Sequence, residues 1–452
     1  MSTDTVPGAA AGIAQRTVSY RRIVALAAPM VLSSVVVMGS QVVVTGLVGR
    51  MGEQALYIRS VYAPLAFLFV AATTGLAVTL QVLVARCAGS GKRDAVAPLL
   101  GSVARVGVAL GVLLGAALVA LSGALAALFS VPPAHIATFQ HFLLFMAAAN
   151  VLGMLGELCS AVLRGIGAAG VSAILTGGYV ALTIGLIAGF GLGLHAGLMI
   201  VPAGTALAGT LEVVAGLTVL VRRGVIRPAR LVGWRPEVSR RLLAIGFPVA
   251  ASYLMLSAVN LLLLRVVAPG GPDAVAGFSV GYTVQSFVVA PTVGFGSAIG
   301  VLMNQHLAAG AITAARTAFR KGVLLVACCY AVVTVALIAY GTQLVGQLSD
   351  DPRIVEEAAR FTALVGPTFG CTGLILAVLT VLEQTGHGGL AVAMNASYFA
   401  AIIVIGALLV ASTHDIDALY RTMRIAALAG LASGLPFAWW IAIRRTPAGE
   451  PS

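Results

Sequence analysis

Apolar residues fill this chain in long unbroken stretches, not in the alternating or every-third pattern of a half-buried strand or helix. Twelve stretches reach the ~20 residues a helix needs to cross a bilayer: roughly 23–48, 57–85, 96–128, 137–163, 170–191, 197–221, 242–268, 275–306, 322–346, 358–382, 390–411 and 419–443. In lipid only helices or a closed barrel satisfy every backbone group, and these runs are too long and too uniformly apolar for barrel strands. The pattern predicts an all-α polytopic membrane protein. The first 20 residues are polar and small with no short apolar core and cleavage site, so no signal peptide is expected and the first run is a span.

The pattern repeats after 219 residues. Arg22, Ala25, Pro29 and Ser33 recur as Arg241, Ala244, Pro248 and Ser252. Ser130 and Pro133 recur as Ser349 and Pro352. Val162, Leu163, Gly167 and Gly170 recur as Val381, Leu382, Gly386 and Gly389. Six spans fall in each copy, so both copies start on the same side and the repeat is parallel. The expected organisation is an N-terminal six-helix lobe over 1–221, a basic connecting segment over 222–241 and a C-terminal six-helix lobe over 242–452. Two equivalent lobes around a shared site is a common transporter design.

Composition agrees: 60% of residues are hydrophobic and 9% charged, against about 25% charged in a soluble domain. The net charge of +12 sorts by loop and forms no nucleic-acid patch. With the N-terminus inside, 20 of 27 bases face the cytoplasm, seven of them arginines between 222 and 241. That asymmetry predicts a multi-pass protein of the cell membrane with both termini cytoplasmic. The five cysteines show no metal or redox spacing. Gly-Ser-Gly-Lys at 89–92 lacks the spacing of a phosphate loop and reads as a turn.

Two carboxylates fall inside spans, Glu157 in the fourth and Glu212 in the sixth. A charge at bilayer depth costs at least ~2.5–3.5 kcal/mol, so such a residue faces a cavity, finds a partner or takes a proton. Glu157 lies two turns before Arg164. Other polar positions that can line a cavity are Gln41, Thr45, Asn150, Thr183, Asn260, Tyr282 and Gln285; Gln41 and Asn260 are repeat mates. No H-E-x-x-H and no Ser/His/Asp set appears in the spans, which argues against an enzyme.

Leu163-Arg164-Gly165-Ile166-Gly167 resembles the L-R-G-x-G signature of the multidrug and toxic compound extrusion (MATE) transporters. Gln41 to Gly52 resembles the end of that family's first helix, and the run from Val381 to Gly389 looks like a degenerate second copy of the signature. The resemblance spans roughly 20–445. It implies a V-shaped fold of about twelve helices and antiport of organic, often cationic, compounds against H+ or Na+. It also exposes departures. The first-helix aspartate is replaced by Val44, an asparagine and aspartate of the fifth helix by Thr183 and Ile187, and a seventh-helix glutamate by Leu256.

The expected function is therefore secondary active export of small amphipathic or cationic compounds by alternating access. No cofactor is expected. A proton is favoured over sodium, which needs several hard oxygen ligands, and Glu157 ranks ahead of Glu212 as carrier. The expected partners are a small-molecule substrate and the lipid bilayer, with no nucleic acid and a monomeric state. The alternative is a flippase for a lipid or lipid-linked precursor; an intramembrane enzyme and an inactive sensing paralogue rank lower.

Overall fold

The computed structural model describes residues 18–194, 196–348 and 351–444. The expected placement of the two termini, and Ser349 of the repeat, lie outside them. Among the described residues there is no strand, and eleven continuous helical segments are long and apolar enough to span a membrane. We label them α1 (Tyr20–Gly49), α2 (Glu53–Ser90), α3 (Arg93–Ala120), α4 (Pro133–Gly165), α5 (Ala169–Gly193), α6 (Ile200–Arg222), α7 (Glu237–Gly270), α8 (Pro272–Ala308) and α9 (Ile312–Gly346). The tenth segment, Pro352–Thr413, is 62 residues long. Gly386, at φ 97°, breaks its helical backbone and divides it into α10 (352–382) and α11 (Gly388–Thr413). With α12 (Asp417–Ala442) the twelve predicted spans are all present.

Two starts moved outward through charged turns. α9 begins at Ile312, ten residues before the apolar run, because its first turns carry Arg316, Arg320 and Lys321 and are helical without being apolar. α10 likewise opens with an amphipathic stretch, Pro352–Val365, whose Glu356, Glu357 and Arg360 interrupt the apolar pattern.

The chain forms two compact units. The first spans 35–253 and the second comprises 18–34 and 254 onward. The changeover points therefore lie inside α1 and α7, and the basic connecting segment belongs wholly to the first unit. The two exchanged segments, 18–34 and 237–253, are related by the same 219-residue offset as the sequence repeat. Equivalent glycines receive them. A Cβ on Gly75 of α2 would lie 2.5 Å from Gly246 O, and a Cβ on Gly294 of α8 would lie 2.7 Å from Val31 N.

Each unit has its own apolar core. In the first, Tyr62, Phe69, Phe139, Phe142 and Leu143 pack between α2 and α4, with Tyr62 and Phe142 edge to face at 5.4 Å. In the second, Phe361 stands edge-on to Phe278 at 5.4 Å and to Tyr420 at 5.1 Å. These ring geometries match the quadrupole preference of aromatic pairs.

Candidate functional site

The L-R-G-x-G run ends α4, and each of its distinctive residues has a structural task. Gly167 adopts φ 89°, a left-handed conformation that favours glycine. Its N–H donates to Arg164 O at 2.9 Å, and the Ala168 N–H donates to Leu163 O at 2.8 Å. This pair of bonds is the Schellman stop of a helix. Gly165 lets α2 approach, since a Cβ there would lie 2.7 Å from Gln81 O. Arg164 uses its three nitrogens on three helices. Nη2 pairs with Glu157 Oε1 at 2.5 Å, Nε donates to Gln81 Oε1 at 2.8 Å and Nη1 donates to Ser172 Oγ at 3.3 Å. The guanidinium thus fastens α4 to α2 and α5, and Glu157 is held as its counter-ion. The side chains are 14% and 31% exposed.

Glu212 is placed differently. α6 crosses α4 at very short range because both present small residues. A Cβ on Gly209 would lie 2.8 Å from Gly153 N, and one on Gly216 would lie 2.6 Å from Cys159 Cβ. Gly209, Glu212 and Gly216 follow at i, i+3 and i+7, so they share one helix face. The carboxyl lies over Gly156, where a Cβ would sit 2.6 Å from Glu212 Oε2. Only 7% of the residue is exposed. Its hydrogen-bond partner is neutral, Ser160 Oγ donating to Oε1 at 3.3 Å. Among the described residues no cation lies within ion-pair distance of it. Ser160 stands three residues after Glu157 on the same side of α4. The Tyr179 hydroxyl of α5 borders the same crossing, 3.6 Å from where a Gly153 Cβ would stand.

The remaining sequence candidates of the first unit lie elsewhere. Asn150 Nδ2 donates to Tyr62 Oη at 2.6 Å and to Met146 O at 2.8 Å. It sits about 10 Å along α4 from Glu157 at 1.5 Å per residue. Gln41 Oε1 accepts from Arg59 Nη2 at 2.9 Å, and Thr45 Oγ1 donates to Gln41 O at 2.8 Å. Thr183 is buried in α5. Asn260, Tyr282 and Gln285 belong to the second unit. There Tyr282 stacks on Phe278 at 5.6 Å, and Gln285 keeps a buried Oε1 with no hydrogen-bond partner. Gln81 reads from the sequence as a polar position of the second span, whereas Ser160, Ser172, Tyr62 and Tyr179 do not stand out as site residues. Ser160 alone had a readable signal, its i+3 spacing from Glu157.

Two of the three positions that lack the expected carboxylate are built as core, and the third, Leu256 of α7, is 42% exposed. Val44 is 7% exposed and Ile187 is fully buried, both in the apolar cluster around Tyr62.

Comparison with known proteins gives a consistent picture. The MatE family model matches residues 29–187 and 248–411. A protein of Deinococcus radiodurans named "Probable multidrug resistance protein NorM" is 29% identical over 317 residues, covering 67% of each chain. The bent form of the Vibrio cholerae MATE transporter VcmN superposes with a TM-score of 0.87 at 18% identity, covering 97% of this chain and 99% of that one. A MOP-superfamily transporter of Pyrococcus furiosus, described as having a binding pocket of reversed polarity, superposes with a TM-score of 0.83 at 15% identity over 98% of both chains.

Proposed function

The chain belongs to the MatE family of membrane transporters, and we propose that it is a proton-driven exporter of small amphipathic organic compounds with Glu212 as its proton carrier. Glu157 ranks first in sequence, and its pairing with Arg164 is the argument for Glu212 instead. A carboxylate with a guanidinium at 2.5 Å has its charge compensated. Glu212 has only a hydroxyl at hydrogen-bond distance, so protonation removes a charge that the apolar surroundings disfavour. That contrast carries the reading. A proton also suits the site better than sodium, because one carboxyl and one hydroxyl fall short of the oxygen shell a hard cation needs.

The organic substrate is inferred from the Deinococcus radiodurans relative named for multidrug resistance. The two-unit repeat supports alternating access as the mode of transport. Glu157, Arg164, Gln81 and Ser172 act as a fastener that holds α4, α2 and α5 together at one end of the site. Asn150, Gln41, Thr45 and Thr183 in the first unit, and Asn260, Tyr282 and Gln285 in the second, are assigned as the polar positions each unit offers a substrate.

The test uses protein reconstituted in liposomes with an imposed pH gradient and a fluorescent cationic dye. Glu212→Gln keeps the shape and hydrogen-bonding capacity of the protonated side chain, and it is expected to abolish the part of efflux that follows the gradient, a loss of ~10-fold or more. Gradient-driven efflux equal to that of the unmodified protein would remove Glu212 as carrier. Efflux abolished by Glu157→Gln but retained in Glu212→Gln would return the role to Glu157.

A further inference from the structure

We propose that the segment joining α6 to α7 is a docking surface for anionic phospholipid headgroups, with Val232 and Trp234 seated among them. α6 ends at Arg222 and α7 starts at Glu237, so both ends of the segment are fixed at a membrane edge. The segment folds back on α3 and is fastened there through its backbone. Arg105 Nη1 donates to Val232 O at 3.0 Å and Nη2 to Gly233 O at 2.6 Å. Arg235 N donates to Ser102 Oγ at 3.0 Å. Gly101 leaves no space for a Cβ beneath Leu231 O, and Arg230 pairs with Asp94 at 2.5 Å.

The segment has already met its own need for burial. Ile226 and Val238 are inside the core of the first unit. Val232 and Trp234 instead point outward, 78% and 50% exposed. The Arg105 guanidinium lies 5.5 Å from the Trp234 ring centroid, which holds the indole in place. An exposed indole flanked by arginines at the end of a span is the composition of a membrane interface.

Charge selects the partner. Segments 91–105 and 222–241 together carry ten bases and two acids, Asp94 and Glu237. Arg222, Arg223, Arg227 and Arg240 are exposed, and among the described residues none of the four has an ion-pair partner. Guanidinium forks match phosphate geometry, and clustered bases beside a span attract anionic lipid. The surface is therefore complementary to a phosphodiester headgroup with apolar chains below it, a combination that free phosphate lacks.

The experiment uses the full chain with Trp439→Phe and Trp440→Phe, leaving Trp234 as the only tryptophan. The protein is placed in phosphatidylcholine nanodiscs containing brominated phosphatidylglycerol or brominated phosphatidylcholine at equal mole fraction. Quenching of Trp234 by the brominated phosphatidylglycerol is expected to be at least ~2-fold stronger. The preference should fall to ~1 in the Arg222→Gln, Arg223→Gln, Arg227→Gln, Arg240→Gln variant, which spares Arg105 and Arg230 and so the fastening. On the unmodified arginines, high salt should reduce the preference, and inorganic phosphate should reduce it no further than sodium chloride of the same ionic strength. Equal quenching by both lipids, no quenching by either, or a preference that survives the four substitutions would overturn the proposal.

Discussion

Glu157 and Glu212 belong to adjoining helices of one unit and differ in what touches them. Glu157 meets a guanidinium that also holds Gln81 and Ser172. Glu212 meets a serine and a glycine gap. Removing Arg164 would strand the Glu157 carboxylate and untie three helices together. Arg164→Gln is therefore expected to destabilise the protein by about 1–3 kcal/mol, between the values for exposed and fully buried pairs. Arg164→Lys should recover only part, because an ammonium cannot present three planar donors to three helices. Thermal unfolding of the solubilised protein checks both, and Glu157→Gln combined with Arg164→Gln completes a cycle. A double variant no better than the sum of the singles would mean that the pair is not coupled. The Glu157–Arg164 contact was legible because seven residues make two turns and put both on one face. The Ser160–Glu212 contact was not, since it depends on how α6 crosses α4, and that register is set by Gly153, Gly156, Gly209 and Gly216, which look like any other glycines in an apolar run.

At the crossing of the second and fourth helices of each repeat, a glutamine and a glycine exchange places between equivalent positions. In the first copy Gln81 stands on α2 and Gly165 faces it from α4. In the second copy the equivalent positions are Gly300 on α8 and Gln384 beyond α10, and the Gln384 side chain occupies the gap over Gly300. Gln384 Nε2 donates to Ser297 Oγ at 2.9 Å, and Asn304 Nδ2 donates to Gln384 O at 3.0 Å. In the second copy a long polar side chain fills the space over the glycine, whereas in the first the glycine meets Gln81 O and the Val84 side chain. Gly300→Gln should overpack the second, losing about 1–3 kcal/mol. Adding Gln384→Gly recreates the arrangement of the first copy and should restore much of that loss. Melting temperature and monodispersity on size exclusion read the result, and a double variant worse than Gly300→Gln alone would refute the volume argument. The spans themselves were legible at this scale because lipid demands long apolar helices. Their charged extensions were not. The opening turns of α9 and α10 leave the apolar pattern while the helix continues.

At the scale of the whole molecule, the repeat in sequence is also a repeat in how the chain is shared out. Residues 18–34 complete the second unit and 237–253 complete the first, so each half of the sequence gives its opening helical segment to the unit built by the other half. The offset of 219 was legible, but the exchange was not, because hydropathy says where a helix runs and not which neighbours it joins. The boundaries expected at 221 and 242 follow the charged segment, whereas the units change over within two apolar helices. The receiving glycines allow a direct test. Gly75→Leu on α2 and Gly294→Leu on α8 should each push out the exchanged segment against them, through Gly246 and Val31 respectively. Both should cost about 3 kcal/mol or more, because backbone atoms cannot yield as a flexible side chain would. Gly189→Leu on α5, where a Cβ meets nothing within 4 Å, serves as the control and should be close to neutral. Heat challenge followed by size exclusion ranks the three. Equivalent losses in the first two with an intact control are what a symmetric exchange requires, and a Gly294 variant as stable as the Gly189 variant would show that the second unit does not depend on residues 18–34.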